Sequence, residues 1–313
     1  HRFCEVVAVH DADDHSAFTA EVIGRSARHV SPALHHHTLA LHLAAVPEVR
    51  AEVIRATGRF LMATKASGAA DVQRAQDAVR VLINTPDLTP LDAPTMKSTQ
   101  SGKPIKSGEA YDREFERYLV RFFLESQPKR VAEFLRVDAQ GRGVENTVLA
   151  TLALEPGESA VELARALPAL NRAPGQEELL RLAQFPDEPG VGEALKKILQ
   201  QPATSTTAIE SLLRVRTKLD AAKITPLLND AAKHLLTQNH PASLELGAKL
   251  ANAFQLAAVE PELVQVLKQG WSGDPKSDAR EYLLRPESLA ALQALREMKS
   301  DRTDLFLMLA KNG

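Results

Sequence analysis

The sequence has very little cysteine and few aromatic residues. Cys4 is the single cysteine among 313 residues, so neither an intrachain disulfide nor a cysteine-based metal cage can form. Aromatic residues make up only 4%, whereas hydrophobic residues make up 44%, so the core has to be built from Leu, Ala, Val and Ile. Because Ala and Leu favour helices and β-proteins rely on aromatic and β-branched residues, this composition predicts an all-α fold.

The sequence also has no surplus of either charge and no long apolar run. The 38 Lys and Arg residues nearly balance the 40 Asp and Glu residues, which leaves a formal net charge of −2. Nucleic-acid-binding proteins usually carry a basic excess, because neutralising phosphates supplies most of their non-specific affinity. We therefore expect no nucleic-acid partner. No stretch approaches the ~20 apolar residues of a membrane-spanning helix, so we expect no membrane span in this segment.

Three similar helix starts lie in the last third of the chain. At each, a proline is followed within three residues by Ser or Thr and then by an apolar helical sequence, at Pro202, Pro241 and Pro286. They begin 39 and 45 residues apart (241−202 and 286−241), close to the ~40–47 residue period of two-helix repeats. Such a repeat cannot bury its apolar face alone, so it stacks on its neighbours. We therefore predict an α-solenoid, a superhelix of HEAT-like antiparallel helix pairs. A compact bundle is the competing arrangement, and it predicts fewer, longer helices without a recurring period.

On this interpretation the chain has three parts. Residues 1–84 form an N-terminal helical region that is irregular and rich in histidine at its start, and residues 110–313 form the solenoid. Between them, residues 85–109 contain four prolines and no helical period, which predicts an exposed, disordered loop or linker. In the N-terminal region, helices are predicted at Ser16–His29, Pro32–Ala45, Pro47–Lys65 and Ala70–Asn84.

The segment Asp112–Ser126 has the clearest helical pattern. Its apolar residues follow the i, i+3, i+4, i+7, i+8 spacing of one helix face, at Phe115, Tyr118, Leu119, Phe122 and Phe123. We expect this stripe to pack in the core. We expect the other face to lie in water, with the charged residues Arg113, Glu114, Glu116, Arg117 and Arg121.

The proline-led helices, the helix-pair period and the Ala- and Leu-rich inner faces resemble HEAT-type repeats over about residues 110–313. A narrower resemblance is to the helical-repeat segment of large bacterial membrane-bound dehydrogenase proteins, common in planctomycetes and verrucomicrobia. It rests on Asp112-Arg-Glu-Phe-Glu-Arg-Tyr-Leu-Val-Arg, Leu152-Ala-Leu-Glu-Pro and Leu182-Ala-Gln-Phe-Pro-Asp-Glu-Pro-Gly. In those proteins a sugar-dehydrogenase-like propeller precedes the repeats and a c-type cytochrome domain follows them. The sequence has neither a propeller pattern nor a Cys-x-x-Cys-His haem site, so the resemblance implies a spacer module to which no catalytic residue carries over.

Eight of the ten histidines lie within residues 1–46, a region that the repeat pattern does not clearly include. His10-Asp-Ala-Asp-Asp-His15 and His35-His-His37 bring together imidazole and carboxylate ligands, which suit zinc or iron. Three consecutive histidines on a helix point about 100° apart, however, and cannot share one ion. The His10-Asp11 pair is similar to a step of helical metal-dependent phosphohydrolases, but the supporting ligand helices cannot be identified. We interpret these histidines as solvated or locally hydrogen-bonded, with metal binding as the alternative.

Four further features have ordinary structural explanations. Ser101-Gly-Lys-Pro104 lacks the upstream glycine and the Ser or Thr after the lysine that a phosphate-binding loop requires. Cys4 has no identifiable base to generate a thiolate. Trp271 is expected to cap the repeat core, with a partner anchor as the alternative. A solvated helix end is expected at Arg214, Arg216 and Lys218, because cations suit a helix C-terminus, with a concave binding surface as the alternative.

The leading hypothesis is a non-catalytic helical-repeat scaffold or interaction module whose partners are proteins or neighbouring domains of the same polypeptide. We assign no catalytic, cofactor-binding or metal-binding residue and expect no cofactor. Because the chain starts at His1 and ends just after a predicted helix, we expect a fragment of a larger bacterial dehydrogenase- or cytochrome-type protein. That protein is exported or periplasmic if the resemblance holds, and cytoplasmic otherwise. The rival hypotheses are an enzyme on a HEAT-like scaffold, similar to a DNA glycosylase or a bilin lyase, and metal binding through the N-terminal histidines.

Overall fold

A computed structural model defines the architecture of the protein. It describes residues 3–6, 22–25, 46–64, 68–89, 91, 94–99, 102, 104–137, 143–269, 285–303 and 306–307. Over these residues the chain contains thirteen α-helices and two short antiparallel hairpins, and helix accounts for most of them. The predicted all-α class is confirmed.

The helices have the following bounds in chain order: α1 (Pro47–Ala63), α2 (Ala69–Asn84), α3 (Glu109–Glu125), α4 (Pro128–Val137), α5 (Val144–Thr151), α6 (Pro156–Ala166), α7 (Gln176–Gln184), α8 (Val191–Gln200), α9 (Ser205–Val215), α10 (Ala221–Leu236), α11 (Pro241–Phe254), α12 (Glu260–Gln269) and α13 (Pro286–Glu297). Single 3-10 turns follow three of these helices, at Leu167–Ala169, Arg216–Lys218 and Ala257–Val259.

The first hairpin lies where a helix was expected. Strand β1 (Phe3–Val6) pairs antiparallel with β2 (Val22–Arg25), with Phe3 opposite Arg25. The predicted helix at Ser16–His29 is therefore wrong over residues 22–25. The strand sequence Val-Ile-Gly-Arg favours this outcome, because two β-branched residues and a glycine are poor helix formers. The predicted helix at Pro32–Ala45 lies outside the described residues.

The chain divides into two compact units, His1–Leu154 and Glu155–Gly313. In the first unit, α1 and α2 share one hydrophobic core with α3, α4 and α5. The division therefore falls at residue 154 and not at the predicted linker, residues 85–109. The linker connects helices that pack on each other, so it does not separate domains.

Residues 85–109 also contain regular structure. Strands β3 (Met96–Ser98) and β4 (Pro104–Lys106) form an antiparallel hairpin in which all six strand residues are exposed. The predicted exposure holds at these strands but not at Pro86 and Ser107, which are buried, and the predicted absence of regular structure is wrong at the strands. Leu88, just before the hairpin, packs against the core of the first unit and ties the segment to it.

Two close contacts fix the helix packing of the first unit. A Cβ atom at Gly58 would lie 2.1 Å from Cγ of Phe123, so only glycine allows α1 to approach α3 this closely. Arg130 of α4 donates to the main-chain carbonyls of Leu61 and Thr64 at the C-terminal end of α1. Because the carbonyls at a helix end lack partners within the helix, a cation there is favourable.

In the second unit, most of the described helices pack on the next described helix, on the next but one, or on both. The contacts form two series, α6–α8–α10–α12 and α7–α9–α11–α13, and pairs such as α10–α11 and α12–α13 connect the series. The three helices with similar starts, α9, α11 and α13, belong to the same series. Between Pro202 and Pro241 the period of the sequence thus corresponds to two helices, α9 and α10.

Two of the three repeated starts are confirmed at their prolines. Pro241 and Pro286 each occupy the first turn of a helix, where the missing N–H costs no hydrogen bond. The helix predicted at Pro202 begins three residues later, at Ser205. The intervening turn is held by Thr204, whose hydroxyl donates to the carbonyl of Ile198 at 2.8 Å, so this segment closes α8 before α9 begins.

Candidate interaction surface on helix α3

Helix α3 buries a different face from the one that its aromatic residues predict. Leu119 and Phe123 are in the core as expected, together with Val120 and Leu124. Glu116, expected in water, is only 1% exposed. The helix is therefore rotated relative to the prediction, so that a carboxylate points inward and several rings point outward.

The outward-facing rings form a continuous strip along the helix. Their exposed fractions are 54% at Tyr111, 61% at Tyr118 and 54% at Phe122, and Phe115 between them is half-buried. Their positions at i, i+4, i+7 and i+11 place all four on one side of α3. The predicted burial of Tyr118 and Phe122 is wrong. We call these four residues the aromatic strip.

The rings of the aromatic strip are ordered against each other. Tyr111 stacks on Phe115 with centroids 6.0 Å apart and planes 5° apart, and Tyr118 lies 6.5 Å from Phe122. Phe122 in turn makes an edge contact with the buried Phe123 at 5.2 Å. Such ring pairs contribute beyond their buried area, so the strip is a pre-ordered surface.

Helix α1 extends this surface on one side. The guanidinium of Arg55 lies over the Phe115 ring at 5.5 Å, a cation–π arrangement. Met62 follows Arg55 by seven residues, so it lies on the same side of α1, and it is about half exposed. An exposed aromatic patch with an adjacent flexible methionine is typical of protein-binding surfaces.

A buried ion pair sets the rotation of α3. Nε of Arg50 on α1 donates to Oε1 of Glu116 at 2.9 Å, and both side chains are almost fully buried. The backbone N–H of Asp87 donates to Oε2 of the same carboxylate at 3.3 Å. Because a buried carboxylate needs a partner for each oxygen, these contacts hold Glu116 inward and turn the aromatic strip outward.

A second ion pair links the loop that follows α2, which contains Asp87, to α3. Nη2 of Arg113 lies 2.9 Å from Oδ2 of Asp87, and Arg113 also contacts Glu109 and the Thr89 carbonyl. Burial alone would raise the pKa of the Asp87 carboxyl. Hydrogen bonds from Thr89 and the charges of Arg113 and Arg50 outweigh that effect, so the pKa of Asp87 is lowered below its ordinary value of 3.8. At neutral pH the Asp87 carboxyl is therefore ionised when the loop after α2 is packed against α3.

Charged side chains follow one edge of the aromatic strip. Nζ of Lys106 on β4 lies 3.3 Å from Oε2 of Glu114, and Arg121 pairs with Glu125 one turn further along. Glu114, Arg121 and Glu125 are seven and four residues apart, so they share one side of the helix. Lys106, Glu114, Arg121 and Glu125 therefore give this edge charges that alternate in sign.

The other candidates from the sequence lie on other elements. Gly102, of the Ser101–Pro104 motif, is in the turn between β3 and β4, with φ +73°, and no helix N-terminus follows it. Cys4 is in β1, opposite Gly24. Arg214, Arg216 and Lys218 are exposed, and Arg216 donates to the carbonyl of Leu213 at the end of α9 at 3.3 Å.

Two sequence candidates fall on parts of the chain that the structure does not describe. These are Trp271 and the N-terminal histidines at positions 10, 15, 29, 35–37 and 42. Across the described ranges, no group of three or more His, Cys, Asp and Glu side chains is arranged to hold a metal ion. Among the helices in those ranges, none is long and apolar enough to cross a membrane.

The second unit contains a shallow groove between α11 and α13. It is lined by Lys249, Asn252, Leu289 and Gln293, with Leu289 about half exposed at its edge. The groove is open and mixed in polarity, and Lys249 is already paired with Glu245. It therefore has less apolar surface to offer than the aromatic strip.

Over the described residues, the fold and the strip together define a class: a mainly helical protein with an ordered, exposed aromatic surface on one helix. No protein-family model, curated protein or solved structure matches the chain. The aromatic strip is visible in the sequence as a Tyr, Phe, Tyr, Phe series, but only the buried charge of Glu116 reveals which face it occupies.

Proposed function

We propose that this chain is a non-catalytic helical-repeat interaction module, and that the aromatic strip of α3 is its docking surface for a protein partner. The observation that carries the proposal is the exposure of three large rings on one helix face. Leaving such rings in water is unfavourable, at ~25 cal/mol for each Å² of apolar surface. Contiguous exposed apolar patches mark interaction sites more often than isolated residues do.

The proposal includes an α-solenoid arrangement of helix pairs within the second unit. What supports it is the pair of contact series, in which every second helix packs on the one before it. A bundle would bring helices distant in sequence together around one centre, whereas stacked pairs contact only near neighbours. In this arrangement the repeats supply a rigid frame and exposed helix faces supply the binding surface.

The resemblance to the repeat segment of the bacterial dehydrogenase group extends the proposal to a parent protein. In such a parent the module would hold an oxidoreductase domain and a cytochrome domain at a set separation, and those domains would be its partners. The residues that flank this segment in its gene test this part directly. A propeller before the segment and a haem motif after it are the expected result.

Site-specific photo-crosslinking tests the docking surface. A benzoyl-phenylalanine replaces Tyr118 or Phe122, which are exposed and aromatic, so the fold tolerates the change. The matched control carries the same group at Glu133, an exposed position on α4. The chain is expressed together with the segments that flank it in its gene and is then irradiated.

Several-fold more protein adduct at positions 118 and 122 than at position 133 is the expected outcome. Equal yields at the three positions would contradict a docking role for the aromatic strip. Turnover by the purified chain on a broad panel of substrates would contradict the non-catalytic part of the proposal.

A further inference from the structure

The four rings of the aromatic strip are spaced symmetrically along α3. They lie at positions 111, 115, 118 and 122, so the steps between them are four, three and four residues. A spacing that reads the same from both ends is unchanged when the helix is reversed. Two copies of α3 packed antiparallel therefore place Tyr111 opposite Phe122 and Phe115 opposite Tyr118. At each of these positions, a tyrosine of one copy therefore faces a phenylalanine of the other.

The charges along the edge of the strip match in the same arrangement. Lys106, Glu114, Arg121 and Glu125 alternate in sign, so reversing the helix sets each charge against one of opposite sign. Glu125 of one copy comes within reach of Lys106 of the second copy. Glu114 falls about two residues, or roughly 3 Å along the axis, from Arg121 of the second copy. A parallel pair of helices would not give this complementarity.

The exposed area fits a modest interface. An aromatic side chain carries about 150–250 Å² of surface, so three rings that are more than half exposed, with a smaller part of Phe115, offer on the order of 400 Å² per copy. A standard stable interface buries about 800 Å² per partner, and weak, transient ones bury less. The strip alone is therefore the size of a weak, transient interface, one that forms and dissociates with concentration.

We propose that the aromatic strip binds a second copy of this chain, through a two-fold axis that passes between Phe115 and Tyr118 and pairs the α3 helices antiparallel. The inference rests on the proposed function, because it gives the docking surface its occupant. Two-fold self-association requires a self-complementary patch, and both the ring spacing and the edge charges have this property.

Sedimentation equilibrium of the purified chain at 1–100 μM tests the proposal, with four variants beside the wild type. The first is Tyr118→Ser combined with Phe122→Ser, which removes two rings from the strip. The second is Leu289→Ser, which removes an apolar side chain that is about half exposed from the second unit and serves as the matched control. Lys106→Glu and Glu125→Lys each reverse one charge at an end of the edge.

We expect the wild type and Leu289→Ser to dimerise alike, and loss of the two rings to weaken the dimer at least about tenfold. Each charge reversal creates two like-charge contacts in its own dimer, which we expect to weaken it by up to about tenfold. Mixing the two reversed variants restores both opposite-charge contacts, so the heterodimer should regain the wild-type affinity. Circular dichroism verifies that every variant keeps its helix content.

A wild type that stays monomeric at 100 μM would overturn the inference. A dimer whose affinity is unchanged when the two rings are removed would overturn it too. A mixture of Lys106→Glu and Glu125→Lys that associates no better than either alone would exclude the antiparallel two-fold arrangement. These failures are distinct from failure of the proposed function. A monomer whose strip still crosslinks to another protein keeps the docking surface and loses only its self-association.

Discussion

Replacing Gly58 with alanine tests the closest helix contact of the first unit. A Cβ atom at this position would lie 2.1–2.4 Å from three atoms of the Phe123 ring. The ring would have to retreat by more than about 1 Å to regain a normal carbon–carbon distance. It has little room to do so, because Phe123 is buried and makes an edge contact with Phe122.

Two opposing effects determine the size of the change. Overpacking a core contact costs about 1–3 kcal/mol, and the contact at Gly58 is short enough to fall at the upper end. Alanine gains ~1 kcal/mol over glycine inside a helix, because it restricts the unfolded chain. We expect Gly58→Ala to destabilise the first unit by about 2 kcal/mol, or roughly 5–10 °C in Tm.

Hydrogen exchange followed by mass spectrometry is the suitable assay, because it reports on α1 and α3 separately from the second unit. A loss of 2 kcal/mol appears as about thirty-fold faster exchange in these helices. In a Phe123→Leu background the branched, smaller side chain relieves the contact, so there Gly58→Ala should be neutral or stabilising. If Gly58→Ala in the wild-type background slows exchange or raises Tm, the proposed contact between α1 and α3 is refuted.

Two further predictions concern the charges that orient α3. Glu116→Gln removes the carboxylate charge from the buried pair with Arg50 and should cost up to about 3–5 kcal/mol by urea denaturation. Arg50→Met combined with Glu116→Leu should recover most of the loss, and equal losses would contradict the pairing. Because the pKa of Asp87 is lower in the folded protein than in the unfolded chain, its contribution to stability is present above the unfolded pKa and is lost as pH falls through the folded pKa. The Asp87→Asn variant should therefore show a flatter dependence of Tm on pH below about 4, and an unchanged slope would refute this role.

The helix content and several helix starts follow from local features of the sequence. Pro241 and Pro286 begin helices where the sequence predicts, because a proline in the first turn needs no partner from elsewhere in the fold. The core stripe of α10 is equally local, with Ile224, Leu228 and Leu235 buried as their helical spacing predicts. The strand at Val22–Arg25 differs, because its conformation depends on pairing with Phe3–Val6.

The aromatic strip could be predicted only in part. The residues and their spacing on one helix are evident, but α3 also carries Leu119, Val120, Phe123 and Leu124, so the helix has two adjacent apolar faces. The helical period of 3.6 residues shows that both adjacent faces are apolar, but it does not show which of them is buried. The deciding contact joins Arg50 to Glu116, which are 66 residues apart in the chain.

The sequence by itself determined the helical class, the helix starts at Pro241 and Pro286, and the presence of a ring series on α3, because propensity, proline placement and side-chain spacing act within a few residues. Only the tertiary structure decided that the first unit ends at Leu154, that α1 meets α3 at Gly58 and that the rings face outward. These outcomes depend on which distant side chains share the core. On α3, the apolar side chains of Leu119, Val120, Phe123 and Leu124 and the ion pair of Glu116 with Arg50 occupy the buried side, which leaves the rings outside.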